Sequence, residues 1–289
     1  MTLQRFRVAA VQMVSAPEVD ANLRRAEALI AEAAAGGAQL VALPEYFCLL
    51  GRQDSDKVAV READGSGPIQ QFLSEAARRN GVWLIGGTVP LQCDAPDKVR
   101  NSCLVFDDRG QRRARYDKIH LFGFDNGSER FDEARSIQPG TQPVTLDSPF
   151  GRIGLSVCYD LRFPELYRAL APTALLMVPS AFTATTGRAH WEPLLRARAI
   201  ENLAWVVAPA QGGLHPNGRR THGHSMIIDP WGEILAEGDV EPGIIMAKID
   251  PAKVETARRA IPSLQHGRRF GVADAKAGPD HLHLVRGSA

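Results

Sequence analysis

The stretch GRIGLSVCYDLRFPELYRALAPTALLMV, residues 151–178, reads as strand, turn, helix and strand. Ile153 to Val157 is an apolar β-like run, Glu165 to Leu170 is helical in pattern, and Ala174 to Val178 is β-like again. The same order opens the chain, with an apolar run from Phe6 to Met13, a helical pattern from Ala21 to Ala35 and a second apolar run from Leu40 to Leu43. Two such βαβ units predict a layered α/β protein built from two similar halves.

Between the units the pattern predicts a helix around Ile69 to Arg79 and a single strand over Val82 to Val89. A hairpin follows, Cys103 to Phe106 with Arg112 to Tyr116, turned by Asp108, Arg109 and Gly110. After the second unit come a helix from His190 to Leu203, strands at Ala204 to Ala208, Ser225 to Ile228, Glu233 to Ala236 and Ile244 to Ile249, and a helix from Pro251. The hairpin-like pairs point to mixed rather than purely parallel sheets. No interdomain linker is visible, so the expectation is one domain over residues 1–270 and a C-terminal tail, 271–289, that lacks clear periodicity.

The 289 residues are 44% apolar and 23% charged, which suits a large buried core. Lys plus Arg number 34 against 33 Asp plus Glu, for a formal charge of +1. That balance leaves no long-range field to gather nucleic acid or an anionic membrane, so a small-molecule partner is expected. The opening MTLQRFRVAAVQM has too short an apolar run for a signal peptide, and no uncharged apolar stretch is long enough to cross a bilayer. A cytoplasmic protein is expected. Cys48, Cys93, Cys103 and Cys158 lack CxxC or Cys/His ligand spacing, which argues for free thiols and against zinc.

Three positions bear chemistry at strand ends. Cys158 follows a strand and precedes a helix, a place where neighbouring N–H groups stabilise negative charge, although a buried cysteine is equally often a small hydrophobe. Glu45 ends the strand of LVALPEYF, either as a solvated acid or as a buried one held for use. Lys118 lies among the apolar residues of RYDKIHLF, where taken singly a surface lysine is the simpler reading. The conjunction of a thiol, a carboxylate and an ammonium, each at a strand end of an α/β protein, favours a common site.

LPEYF (43–47), YDKIHLF (116–122) and CYDLRFPE (158–165), in this order and at these separations, resemble the three signature blocks of the nitrilase superfamily of carbon–nitrogen hydrolases. The resemblance implies a four-layer αββα sandwich with two mixed sheets, and a homodimer. It also implies that Cys158 is the nucleophile of an amidase working through a thioester, Glu45 the general base and Lys118 the oxyanion stabiliser. Glu133 would support the base or the lysine, and the Tyr159 N–H would face the oxyanion. No metal or organic cofactor is implied. Gly123 and Ala134 depart from the residues relatives often carry, aspartate and serine, so one pocket wall is expected to differ.

Residues 178–202 further resemble the branch of amidases related to omega-amidase and deaminated glutathione amidase, which act on small amides bearing a carboxylate. In that branch Arg162 and Phe182 would line the pocket, arginine suiting a carboxylate through its planar fork. Arg162 equally suits a structural ion-pair network with Asp160 and Glu165, and Tyr46 is either a pocket wall or a packing residue. AQGGLHPNGRRTHGHS, 210–225, leans toward deaminated glutathione amidase. Its His215, His222 and His224 lack regular ligand spacing. Arg219 and Arg220 are either solvated or placed to meet a second carboxylate of a peptide-like substrate. His190 reads as a capping or packing residue at a helix start. The competing readings are an omega-amidase acting on 2-oxoglutaramate or 2-oxosuccinamate, an N-carbamoyl hydrolase or nitrilase with the same three groups, and a catalytically silent binding protein.

Overall fold

The computed structural model describes residues 4–268, 270–273 and 282–284. The first half runs β1 (Phe6–Gln12), α1 (Val19–Ala35), β2 (Leu40–Ala42), α2 (Asp56–Ala59), α3 (Pro68–Asn80), β3 (Trp83–Ile85), β4 (Val89–Leu91), β5 (Arg100–Phe106) and β6 (Arg112–Asp117). A small hairpin, β7 (Gly123–Asp125) with β8 (Arg130–Asp132), precedes the second half. That half runs β9 (Val144–Ser148), β10 (Gly151–Leu155), α4 (Pro164–Leu170), β11 (Leu175–Met177), α5 (Ala184–Asn202) and β12 (Trp205–Ala208). Then follow β13 (Gly212–Leu214), β14 (Arg220–His222), β15 (Met226–Ile228), β16 (Ile234–Glu237), β17 (Gly243–Ile249) and α6 (Ala252–Ala260).

Two sheets result. In the first, β1, β2 and β3 are parallel, with β17 antiparallel on the outer edge of β1 and β5 antiparallel to β3. In the second, β10, β11 and β12 are parallel, β9 pairs antiparallel with β10, and β15 and β16 extend the far side antiparallel. Strand residues alternate between faces. Val8 and Ala10 of β1 join Ile153, Leu155 and Met177 in the core between the sheets, while Ala9 and Val11 pack with Ile30 and Leu73 of α1 and α3. Both faces of each central strand are therefore covered, which explains their continuous apolar runs. Helices outside and sheets inside make the four-layer αββα sandwich with mixed sheets.

The strand expected over Val82 to Val89 is instead two, β3 and β4, both paired with β5. The break falls at Gly86 and Gly87, because Gly87 has φ 56° and a Cβ there would lie 2.2 Å from the carbonyl oxygen of Pro44. The loop carrying Glu45 needs that space. The helix expected to start at His190 starts at Ala184, so His190 is an interior helical residue and not a cap. Thr183 caps it by accepting from the Thr186 N–H, and Gly187 admits the His222 ring, which a Cβ would meet at 2.3 Å. Threonines and a glycine there read as loop only when β14 is ignored. Most of the 271–289 tail lies outside the described residues, and what is described pairs β18 (Gly271–Ala273) with β19 (Leu282–Leu284) antiparallel.

Candidate active site

Chain direction brings the carboxyl ends of β2 and β10 to the same end of the sandwich. Beyond β2, Leu43 donates its N–H to the Ile85 carbonyl, Pro44 follows, and Glu45 turns inward, 1% exposed. Tyr46 then adopts φ 57°, held by its N–H donating to Thr88 Oγ1 at 2.9 Å. Beyond β10, Cys158 adopts φ 50°, its N–H donating to the Pro179 carbonyl at 3.0 Å. Among the described residues four non-glycine residues lie in the left-handed region, and these two both stand at strand ends and line one cleft.

Lys118 enters from the end of β6. It is completely buried, and its backbone N–H is fixed by the Asn101 carbonyl on β5. Its Nζ lies 2.9 Å from Glu45 Oε1, and 3.0 and 2.8 Å from the two oxygens of Glu133. Asn101 Nδ2 also donates to Glu45 Oε1, and the Ala181 N–H donates to Oε2. Glu133 stands on a single 3₁₀ turn, 133–135, and accepts further bonds from Tyr46 Oη at 2.7 Å and the Phe122 N–H at 2.7 Å. One buried ammonium thus joins two carboxylates whose other lone pairs are satisfied, the condition for tolerating buried charge.

The two acids are driven apart. Burial raises the Glu45 pKa, the Lys118 charge opposes this and Glu133 adds to it, so the group ends above the ordinary 4.5. Burial also pushes Glu133 up, but Lys118 and the hydrogen bonds from Phe122 and Tyr46 outweigh it and leave Glu133 low. For Lys118, burial alone would depress the pKa, and Glu133 and Glu45 lift it well above the ordinary lysine value. Burial, with the nearby Glu45 charge, holds the Cys158 thiol well above 9, against a smaller pull from Lys118. The resting sulfur is therefore a neutral thiol beside a carboxylate of raised basicity. The arrangement suits proton removal at the moment of attack rather than a standing thiolate.

Glu45, Tyr46, Glu133 and Cys158 line a cleft of ≈ 610 Å³, with Lys118 directly beneath. Sequence reading missed Asn101, the Ala181 N–H, Lys57, Phe131 and Thr221, because each reaches the site from a different element. Tyr159 has its N–H in the first turn of the 3₁₀ segment 158–162, where no helical acceptor is available, and its ring packs edge-on against Phe122. Phe182 lies in a narrow apolar extension next to Cys158 and packs on Trp191.

Arg162 stands apart from the cleft. Its guanidinium lies over the Tyr159 and Phe182 rings and contacts His190 Nδ1 at 3.2 Å. The ion-pair network considered for Asp160, Arg162 and Glu165 does not form. Asp160 is buried and accepts instead from the Val157 N–H, Tyr116 Oη and the His120 N–H, pinning the Cys158 turn to the β6 strand end. Arg219 and Arg220 do reach the cleft wall, Arg219 pairing with Asp54 at 2.9 Å. His215 bridges the Ser15 carbonyl and Thr221, His224 pairs with Glu237, and His222 packs on His224. Among the described residues no group of three His, Cys, Asp or Glu side chains is arranged to hold a metal, and no helix is long and apolar enough to cross a membrane.

A family model described as carbon-nitrogen hydrolase matches residues 7–259. The chain is 43% identical over 270 residues to a Synechocystis protein named deaminated glutathione amidase, covering 91% of this chain and 98% of that one. It is 38% identical over 267 residues to human omega-amidase NIT2, covering 91% and 95%. Among solved structures, Saccharomyces cerevisiae Nit3, a member of branch 10 of the nitrilase superfamily, superposes with a TM-score of 0.82 at 32% identity, covering 90% of this chain and 96% of that one.

Proposed function

Because the chain belongs to the carbon–nitrogen hydrolase family, we propose that it is a cysteine-dependent amidase whose substrate is deaminated glutathione or a related carboxylate-bearing omega-amide. The observation that carries this is the buried Glu45–Lys118–Glu133 array bordering Cys158 in one cleft. The relatives named deaminated glutathione amidase and omega-amidase support the substrate class.

In this reading Glu45 takes the Cys158 thiol proton as sulfur attacks the amide carbon. The carbonyl oxygen becomes an oxyanion near Lys118 Nζ and the Tyr159 N–H, where one well-placed donor contributes about 2.7–4 kcal/mol. Lys118 holds Glu133 through two contacts, so it can turn one N–H to the oxyanion while keeping its other partner. The C–N bond breaks, the proton on Glu45 passes to the leaving nitrogen, and a thioester remains. Water, deprotonated by Glu45, then splits the thioester into a carboxylic acid and the free thiol. The side chains of Glu45, Lys118 and Cys158, the Tyr159 N–H and one water serve these steps, and a cytoplasmic homodimer is the setting we assign to the protein.

Hydrolysis of deaminated glutathione, 2-oxoglutaramate, succinamate, a carbamoyl amino acid and a nitrile, assayed side by side, tests the assignment. Turnover of the carboxylate-bearing amides is expected, with loss in Cys158→Ala. Turnover of the carbamoyl compound or the nitrile alone would reassign the substrate class.

A further inference from the structure

Cys158 lies between two unlike arms of the cleft. One is a narrow apolar slot against Phe122, Tyr159 and Phe182. The other passes over Tyr46 toward Leu50 and Gly51 and carries Lys57 and Arg219. Arg219 already has its counter-ion in Asp54. Lys57 does not: its ammonium donates to Ser136 Oγ at 3.2 Å and lies 5.4 Å from the centre of the Tyr46 ring, and among the described residues it has no ion-pair partner. Arg220 lines the same cleft and also has none among the described residues.

A cation stripped of part of its water, without an anion to replace it, is costly unless something else benefits. Burial draws the Lys57 pKa below the ordinary lysine value even though the Glu133 and Asp54 carboxylates pull it upward from beyond ion-pair distance, so no anion is in direct contact with the ammonium. Position adds to this. Lys57 stands on the far side of Tyr46, whose hydroxyl bonds Glu133, which in turn holds Lys118. A substrate with its amide carbon at Cys158 and its tail along this arm meets Lys57 next.

We propose that Lys57, assisted by Arg220, is the subsite that recognises a carboxylate of the amide substrate and so selects anionic over neutral amides. This rests on the amidase reading of the cleft. A substrate carboxylate there supplies the charge-assisted hydrogen bond that Lys57 lacks.

The test compares the full-length protein with K57M and K57R on succinamate, deaminated glutathione and butyramide. Butyramide carries a methyl group where succinamate carries its carboxylate. In K57M, KM for carboxylate substrates is expected to rise about 10- to 100-fold with kcat changed less than about threefold, and kcat/KM for succinamate relative to butyramide to fall by about the same factor. K57R should retain most of the selectivity. A penalty on deaminated glutathione alone places the recognised carboxylate on the leaving amine, and a penalty on succinamate as well places it on the acyl chain. An equal loss on butyramide, or none on either carboxylate substrate, overturns the proposal.

A second readout does not depend on turnover. Glutarate should slow alkylation of Cys158 by iodoacetamide in the unmodified protein and fail to do so in K57M. If no amide is hydrolysed, the amidase reading fails, yet protection lost in K57M still upholds the subsite. Absence of protection in the unmodified protein overturns the subsite itself.

Discussion

The two halves of the molecule share a frame and differ at the ends of their strands. Val8, Leu40 and Trp83 stand in one row across β1, β2 and β3, and Ile153, Leu175 and Trp205 stand in the corresponding row across β10, β11 and β12. Five residues beyond the first member of each row are Met13 and Cys158, and five beyond the second are Glu45 and Ser180. LVALPEYF and LLMVPSAF are thus the same strand and turn written twice. Met13 and Ser180 are buried, and Ser180 spends its hydroxyl on the Val178 carbonyl two residues back. In the proposed mechanism each half keeps one corresponding position inert and uses the other, with the nucleophile from the second half and the base from the first. A duplicated scaffold brings four strand ends together, and chemistry requires only two of them.

The largest expected effects test that division. Cys158→Ala should lower kcat/KM by on the order of 10⁴- to 10⁶-fold, whereas Met13→Leu, at the corresponding place, should leave turnover nearly intact and alter only the melting temperature. Comparable losses from both would mean that the halves are not divided in this way. Next in size is the pair Glu45→Gln and Ser180→Ala. Removing the base should reduce kcat by about 10²- to 10⁴-fold, while Ser180→Ala should cost about 1 kcal/mol of stability and little rate. The same carboxylate sets the acid limb of the pH profile. Glu45 must be ionised to accept the thiol proton, and its pKa is raised, so kcat/KM should begin to fall with decreasing pH above the ordinary 4.5. The thiol, held well above 9, should add no limb near neutrality. An acid limb at or below 4.5 would remove Glu45 from the base role.

Much of this was legible in the sequence, and what was not has a common cause. Fully buried parallel strands announce themselves as apolar runs, so β1, β2, β10, β11 and β12 are readable to within a residue or two. Cys158 and Glu45 are readable because each follows such a run, whereas Lys118 follows the charged antiparallel strand β6, RRARYD, and is singled out only in conjunction with the other two. The short pairs β7–β8 and β13–β14 are not, since three-residue strands have no period to detect. Features that depend on a distant neighbour are likewise silent. Gly87 breaks a strand because Pro44 passes over it, Gly187 lies inside a helix because His222 needs its face, and Asn101 looks like any strand residue until Glu45 arrives. Of the two alternatives for Arg162, the ion-pair network does not form because Asp160 is taken up by the Val157 N–H three residues back and by Tyr116 from β6. Proximity in sequence is a poor guide to partners when a buried acid has nearer backbone donors.

A smaller effect separates the two corresponding turns. Tyr46→Phe removes the hydroxyl that donates to Glu133 while keeping the ring under Lys57. A loss of about tenfold in kcat/KM is expected, since one hydrogen bond to a charged group contributes roughly 1.5–3 kcal/mol and Lys118 still holds the acid. The corresponding residue in the second half, Ala181, offers only its N–H to Glu45, so Ala181→Ser should preserve that bond and most of the rate. Kinetics of the two variants under identical conditions decide whether the turn of the first half contributes by its side chain and that of the second by its backbone.

The smallest effect concerns acid stability, and it also divides the halves. The first histidine in the chain is His120, so β1 to β6 contain none. His222 on β14 packs where Gly187 of α5 has no Cβ and stacks on His224 at 4.6 Å. Burial, and then the charges of His224 and Arg188, lower its pKa from 6.5 to about 4. The unfolded chain takes up a proton near pH 6.5 and the folded chain resists until about 4, so stability should fall as pH drops across that window and stay level above it. Because the ring is partly exposed, the loss should be on the order of 1 kcal/mol. Amide exchange at pH 5 should then accelerate in β14 and the first turns of α5 relative to α1, and His222→Gln should reduce the difference between pH 7 and pH 5, leaving the share of His215, whose pKa burial also lowers. Equal acceleration in α1 would place the acid-sensitive group elsewhere, and the two halves would then respond to pH as one unit.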